Sequence, residues 1–410
     1  MSSSRRRTAL SVTAGVLAVA LGVLTAPAAA AGEAPDAARP TSGSGGAFTI
    51  GSATGGYLVQ TASSEQTRAA AEAVGATPSA TFATAVHGFA ATLDPAQAAA
   101  LRDRPGVVGI EKDRTVTPLG PMGVHQDAID SGARAEQEPG NWGLDRIDQP
   151  DLPLDGQFRR TASGSGVDVF VLDTGVDASH PEFGDRAALE TNTVDRRDED
   201  CDGHGTVVAG IAASQNFGVA PEARIRGVKV LDCNGTGTLS SLLAGIDWVV
   251  QNRERPSVAV MSWSYGDSPI LQQAVERMIG AGVFAASSAG NTGGDDCRAL
   301  PRAVGDVLVV ANSTIEDRRA SNSSTGRCVS LYAPGSRIVA PVPGGRTASY
   351  SGTSMAAPFA AGVGALYKET NGDRPSTEVK QWILDNAAPD RISGGGTGGT
   401  PNLLLQTGGL

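Results

Sequence analysis

Apolar residues recur along this chain in two rhythms, and the change between them divides it. Between residues 57 and 111, three short apolar runs (57–60, 88–93 and 107–111) have strand character. The alanine-rich stretches 64–74 and 94–102 have helical character. Glu65 and Arg68 stand in the first turns of one, and Asp94 is placed to cap the other. Strand and helix in twofold succession predict a small α+β sandwich of ferredoxin-like type. From residue 142 onward, β-branched runs at 167–172, 225–230, 258–262, 283–287 and 307–310 alternate with helical stretches at 240–251, 270–280, 355–370 and 377–386. That alternation predicts an α/β domain, a parallel sheet with helices on both faces. Ligand sites in such sheets gather at the carboxyl ends of the strands. Residues 115–141 contain Gly, Pro and Asp without periodicity and read as a link.

The N-terminus has a third pattern. Arg5, Arg6 and Arg7 precede an uncharged run, 8–26, that ends in alanines up to Ala31. A positive start, a short apolar run and an A-x-A site predict a secretory signal peptide over 1–31. A membrane anchor is the weaker reading, because the run is short and alanine-rich and ends at a cleavable sequence. Residues 32–56 are expected to be a disordered leader. Export makes the four cysteines, Cys201, Cys233, Cys297 and Cys328, readable as two disulfides, with three pairings open. No two of them form a C-x₂₋₄-C pair, which argues against zinc. The net charge of −10 excludes an ordinary nucleic-acid binder. Four histidines leave little room for a multi-histidine metal centre.

Three short sequences carry chemistry in combination. Asp173 ends the 167–172 strand in Val171-Leu-Asp-Thr-Gly175. His204 opens a small-residue helix in Asp202-Gly-His-Gly-Thr206, at a helix start whose dipole disfavours a permanent imidazolium. Ser354 begins an Ala/Gly helix in Ser351-Gly-Thr-Ser-Met-Ala-Ala-Pro358, beside helix N–H groups able to hold an oxyanion. Alone, each residue has an ordinary explanation as a turn or cap residue. Together they are the acid, base and nucleophile of acyl transfer, in the order Asp, His, Ser. A G-x-S-x-G elbow is absent, because Ala356 takes the last glycine position. Asn291, in Ser287-Ser-Ala-Gly-Asn291, could donate to the oxyanion from the next strand end.

With these motifs in place, the chain resembles a subtilisin-like serine protease of the proteinase K and aqualysin branch, from residue 57 to the end. The segment Trp142-Gly-Leu-Asp-Arg-Ile-Asp148 is similar to the mature N-terminal segment of that branch. The resemblance implies that Asp173, His204 and Ser354 form the triad and that Asn291 belongs to the oxyanion site. It implies a substrate groove whose edges are Asn234-Gly235-Thr236-Gly237 and Ser262-Trp263-Ser264-Tyr265, with Ser288, Ala289 and Gly290 lining the first specificity pocket. It implies the pairs Cys201–Cys233 and Cys297–Cys328. Val207 and Phe359 stand where the branch has histidines, and Ser264 and Tyr265 where it has glycines. Ser330 stands near a position where some relatives present a calcium-binding aspartate. Structural calcium therefore has no assigned residue, and the chemistry calls for no cofactor.

The resulting organisation is a signal peptide (1–31), leader (32–56), inhibitor-like propeptide domain (57–114), link with the maturation site (115–141) and peptidase domain (142–410). The expectation is a secreted, monomeric serine endopeptidase. It would act on proteins or peptides, be inhibited transiently by its own propeptide, and have no nucleic-acid or mature membrane partner. A catalytically silent binding protein on the same fold, or a triad esterase or lipase, would use the same residues.

Overall fold

A computed structural model describes residues 54–116, 141–254 and 256–410. The signal peptide, almost all of the leader and most of the link lie outside the described residues. The N-terminal part contains β1 (Gly55–Thr61), α1 (Ser64–Ala73), β2 (Ala80–Phe82), β3 (His87–Leu93), α2 (Pro95–Arg102), β4 (Val107–Lys112) and β5 (Thr115–Val116). Its sheet has the order β2-β3-β1-β4, with β1 antiparallel to both β3 and β4. Asp94 caps α2 through a capping box with Gln97. The strand β2 was missed from sequence because it is three residues long with one buried position. The pair Thr115–Val116, read as link, is a strand instead. Its partner is distant in sequence and therefore invisible to local pattern.

The larger part runs through α3 (Trp142–Ile147), β6 (Asp168–Asp173), β7 (Ala187–Asn192), α4 (His204–Ala213), β8 (Arg224–Lys229), β9 (Gly237–Thr238), α5 (Leu239–Asn252), β10 (Ser257–Met261), α6 (Pro269–Gly280), β11 (Phe284–Ser288), β12 (Leu308–Ser313) and β13 (Leu331–Pro334). It ends with the hairpin β14 (Ile338–Val342) and β15 (Arg346–Tyr350), α7 (Thr353–Asn371), α8 (Ser376–Asn386), β16 (Ala388–Pro389) and β17 (Leu403–Leu404). Nine strands form one sheet, β16-β17-β13-β12-β11-β10-β6-β8-β7, parallel except for the β16–β17 pair. The central strands β6, β10, β11 and β12 are buried along their whole length, as parallel strands covered on both faces must be. Alternation along β6 feeds two cores. Val169 and Val171 pack with α4 and α7 residues such as Val208 and Ala357. Phe170 and Leu172 pack with α5 and α6 residues such as Leu242 and Val275.

The chain passes from β6 to β8 on one side of it and later to β10 on the other. Strand order therefore reverses at β6, and the carboxyl ends of β6 and β10 open onto a crevice. Disulfides join Cys201 to Cys233 and Cys297 to Cys328. The first ties the loop before α4 to the turn after β8.

The two parts pack closely. Leu58, Phe82, Ala85, Val86 and Ala90 share a core with α5 and α6. Three carboxylates secure the contact. Asp247 of α5 accepts the backbone N–H groups of Ala83, Thr84 and Ala85 at 3.2, 2.7 and 2.6 Å. Asp113 accepts the N–H (2.9 Å) and hydroxyl (2.6 Å) of Ser240 at the start of α5. Glu111 accepts the N–H of Ile270 at the start of α6, at 3.1 Å. Helix starts present unsatisfied N–H groups and positive dipole ends, which is why carboxylates seat there.

Candidate active site

Asp173 is the last residue of β6 and fully buried. Its Oδ1 accepts the N–H of Thr174 at 2.8 Å and lies 2.6 Å from Nδ1 of His204. Its Oδ2 is buried without a hydrogen-bond partner among the described residues. His204 is the first residue of α4 and 8% exposed. Burial opposes its protonation, but the carboxylates of Asp173, Asp202 and Asp200 outweigh burial and raise its pKa above the ordinary value. The helix start had predicted the opposite direction. A full carboxylate charge at 2.6 Å outweighs the roughly half an elementary charge of a helix start.

A residue missed from sequence builds the frame around the imidazole. Asp200 is 5% exposed. Its Oδ1 accepts Thr174 Oγ1–H (2.8 Å) and Gly203 N–H (2.9 Å). Its Oδ2 accepts the Thr206 N–H and hydroxyl (2.8 and 2.5 Å). Thr174 Oγ1 in turn accepts the N–H of Gly205 at 2.9 Å. One carboxylate thus ties the end of β6 to the first turn of α4, where Asp173 and His204 face each other. The signal available in sequence was an aspartate shortly before a helix start, usable as a cap. Gly205 permits the approach, because a Cβ there would meet Gly175 O at 2.0 Å.

Ser354 is the second residue of α7 and 3% exposed. Helix α7 packs against α4 and against strands β10, β11 and β12. Asn291 follows β11. Its Oδ1 accepts both the N–H and the hydroxyl of Thr353 at 3.0 Å, which turns the donor end of the carboxamide away from Thr353. The Gly290 N–H donates to Thr353 Oγ1 at 3.1 Å. The structure therefore brings Asn291 and Ser354 together at the start of one helix.

Of the groove residues, Asn234 and Thr236 lie in a turn held by Asp232, whose Oδ1 accepts both their N–H groups (2.8 and 2.9 Å), and Gly235 lies between them. Antiparallel pairing falls just beyond, where Val116 meets Gly237 and Thr115 meets Thr238. Ser262, Trp263 and Ser264 follow β10. Trp263 is only 1% exposed and its ring is part of the core, so only its backbone can serve a groove. Ser288 ends β11, and Ala289 and Gly290 lead on to Asn291. Val207 and Phe359 are fully buried core residues. The Ser330 hydroxyl accepts the Val309 N–H at 3.1 Å. Among the described residues, no group of three or more His, Cys, Asp or Glu side chains could hold a metal. His180 is occupied on both sides. Its Nδ1 accepts the Glu182 N–H, which leaves Nε2 to donate to Arg346 O at 2.9 Å.

Comparison with known proteins agrees with this architecture. The Subtilase family model matches residues 164–405, and the Peptidase inhibitor I9 model matches 57–118. The chain is 40% identical over 330 residues to an extracellular serine proteinase of a Thermus species, covering 80% of this chain and 77% of that protein. It is also 40% identical over 328 residues to alkaline serine exoprotease A of Vibrio alginolyticus, of whose length it spans 59%. The crystal structure of a cold adapted subtilisin-like serine proteinase superposes with a TM-score of 0.64 at 42% identity, covering 66% of this chain and 99% of that one. Asp173 at the carboxyl end of a parallel-sheet strand, Ser354 at the start of a helix packed on that sheet, an α+β domain docked on α5 and α6, and these matches have one conclusion: the chain belongs to the subtilase family of serine proteases and carries an I9 inhibitor domain ahead of its peptidase domain.

Proposed function

We propose that the protein is a secreted serine endopeptidase, made as a self-processing pre-pro-enzyme. The observation that carries the reading is the 2.6 Å contact between buried Asp173 and His204, with Ser354 opening helix α7, which packs against the helix that His204 begins. In this mechanism Ser354 Oγ attacks the scissile carbonyl while His204 Nε2 takes its proton. Asp173 holds the Nδ1–H tautomer and stabilises the imidazolium. The Ser354 N–H and Asn291 Nδ2 donate to the oxyanion. His204 then protonates the leaving amine, and water repeats the sequence on the acyl-enzyme. Every group is a side chain or amide of this chain, so no cofactor enters. Structural calcium has no assigned place.

The groove would take substrate as an added strand along residues 234–237 and 262–265, which suits peptides of varied sequence. The pairing of Thr115–Val116 with Gly237–Thr238 supports the propeptide as a transient occupant of that groove. Domain limits follow the same reading: signal peptide 1–31, leader 32–56, propeptide 57–114, maturation within 115–141, and a monomeric peptidase from 142. The test is covalent labelling by a fluorophosphonate. Processed wild type should label at Ser354, and processed protein that does not label overturns the assignment. Casein digestion set against long-chain ester hydrolysis separates a peptidase from an esterase.

A further inference from the structure

Arg302 is 2% exposed and among the largest fully buried side chains. It follows Leu300, whose N–H and C=O are bonded to Tyr265 at 2.8 and 3.0 Å. Its side chain reaches two neighbouring segments. Nε donates to Ala289 O at 2.9 Å, and Nη1 donates to Ser264 Oγ at 3.0 Å, with Nη2 on the same hydroxyl. Ser264 and Ala289 leave the carboxyl ends of β10 and β11, which pair side by side through Met261 and Ser287. The guanidinium thus bridges the two segments that would flank the substrate residue preceding the cleaved bond. Ser264, half-buried, is the part of this bridge within reach of the groove.

The partners of Arg302 are a carbonyl and a hydroxyl, both neutral. The equally buried Arg146 differs, since Asp317 holds it at 2.8 and 2.9 Å. A guanidinium has five N–H donors, and three contacts account for Arg302. Burial pushes its pKa down to about 10, with Asp296 the charge that opposes this, so it remains a cation at neutral pH. Both hydrogen-bond partners are neutral and Asp296 acts on Arg302 without an ion-pair contact, so the cation is incompletely compensated, and a carboxylate brought to the Ser264–Arg302 bridge gains charge-assisted attraction.

We propose that Arg302, with Ser264, makes the first specificity pocket select Glu or Asp at the residue before the cleaved bond, in place of a large apolar side chain. The inference rests on the peptidase reading above. The same charge would disfavour Lys and Arg at that position.

The experiment uses secreted, processed enzyme, with active sites counted by fluorophosphonate. It compares kcat/KM on peptides identical except for Glu, Gln, Ala, Phe or Lys before the cleaved bond, for wild type, Arg302→Gln and Arg302→Lys. Wild type should favour Glu over both Gln and Phe by at least about tenfold. Arg302→Gln should abolish the Glu-over-Gln preference, and Arg302→Lys should retain part of it. An enzyme that labels normally but prefers Phe to Glu, or whose Glu/Gln ratio is unchanged in Arg302→Gln, overturns this inference and leaves the peptidase reading standing. An enzyme that neither labels nor cleaves any peptide overturns both. If Arg302→Gln does not fold, the wild-type Glu/Gln ratio decides alone, and a ratio near one overturns the inference.

Discussion

His204 shows how neighbours decide what one residue does. Its pKa is raised because three aspartates outweigh its burial. Two pH effects follow with opposite sign. The Asp173–His204 pair stabilises the fold with His204 protonated. That stability is fully present below the unfolded value, about 6.5, and is lost as pH rises through the raised folded value. In the proposed mechanism activity needs the neutral base, so it should appear as pH rises through that same folded value. We expect the acid limb of kcat/KM to have its midpoint above about 6.5, and a pH–rate profile measures it. Asp200→Asn should shift that midpoint downward, because a charge favouring the imidazolium is gone. It should also cost about 1–3 kcal/mol of stability, since an amide –NH₂ would face the donors of Gly203 or Thr206. Chemical denaturation beside the pH profile separates the two effects. A midpoint that stays put would show that Asp200 holds the loop without influencing the base.

Elements meet at α5 and α6, and there carboxylates decide the fit. Asp247 gathers three N–H groups from residues 83–85, while Asp113 and Glu111 sit on the two helix starts. A carboxylate on several backbone donors contributes more than a surface ion pair. Asp247→Ala therefore leaves N–H groups of the inhibitor domain unpaired. In a trans-inhibition assay with a peptide spanning 55–116, the variant enzyme should be inhibited at least about tenfold more weakly than wild type, with its rate on small peptides unchanged. Equal inhibition of both enzymes would show that the shared apolar core supplies the affinity. The helices themselves were legible from sequence to within two residues at each end, since their apolar faces repeat at helical spacing. Strands β2, β5, β9, β16 and β17 were not, because two or three residues carry no period, and β7, β13, β14 and β15 were not read as strands either.

At the scale of the whole molecule, two parts share one core, yet the proposed function requires one to be cut away. Ser354→Ala should accumulate uncut, with Thr115–Val116 still paired to Gly237–Thr238. Intact mass and N-terminal sequencing of the secreted protein, beside wild type, check this. A variant that still matures unaided would mean that another protease makes the cut. The two disulfides close loops with sequence separations of 32 and 31 residues. Their reduction should cost roughly 2–4 kcal/mol each and lower the melting temperature of the processed enzyme, which calorimetry with and without reductant measures.

Local pattern was enough for the two-part architecture, the parallel sheet and the candidates for the chemistry. Apolar periodicity and small-residue motifs are local, and Asp173, His204, Asn291 and Ser354 stand where strands end or helices begin. Only the tertiary structure decided what surrounds them. Asp200 is one more acidic residue in an acidic loop until β6 and α4 close around it. Trp263 looks like part of a groove until its ring is seen inside the core. Arg302 is an unremarked cation until burial sets it between Ser264 and Ala289. The hydrogen bonds of Asp200 and Arg302 reach residues up to 38 apart in the chain, and no local pattern encodes a partner at that distance.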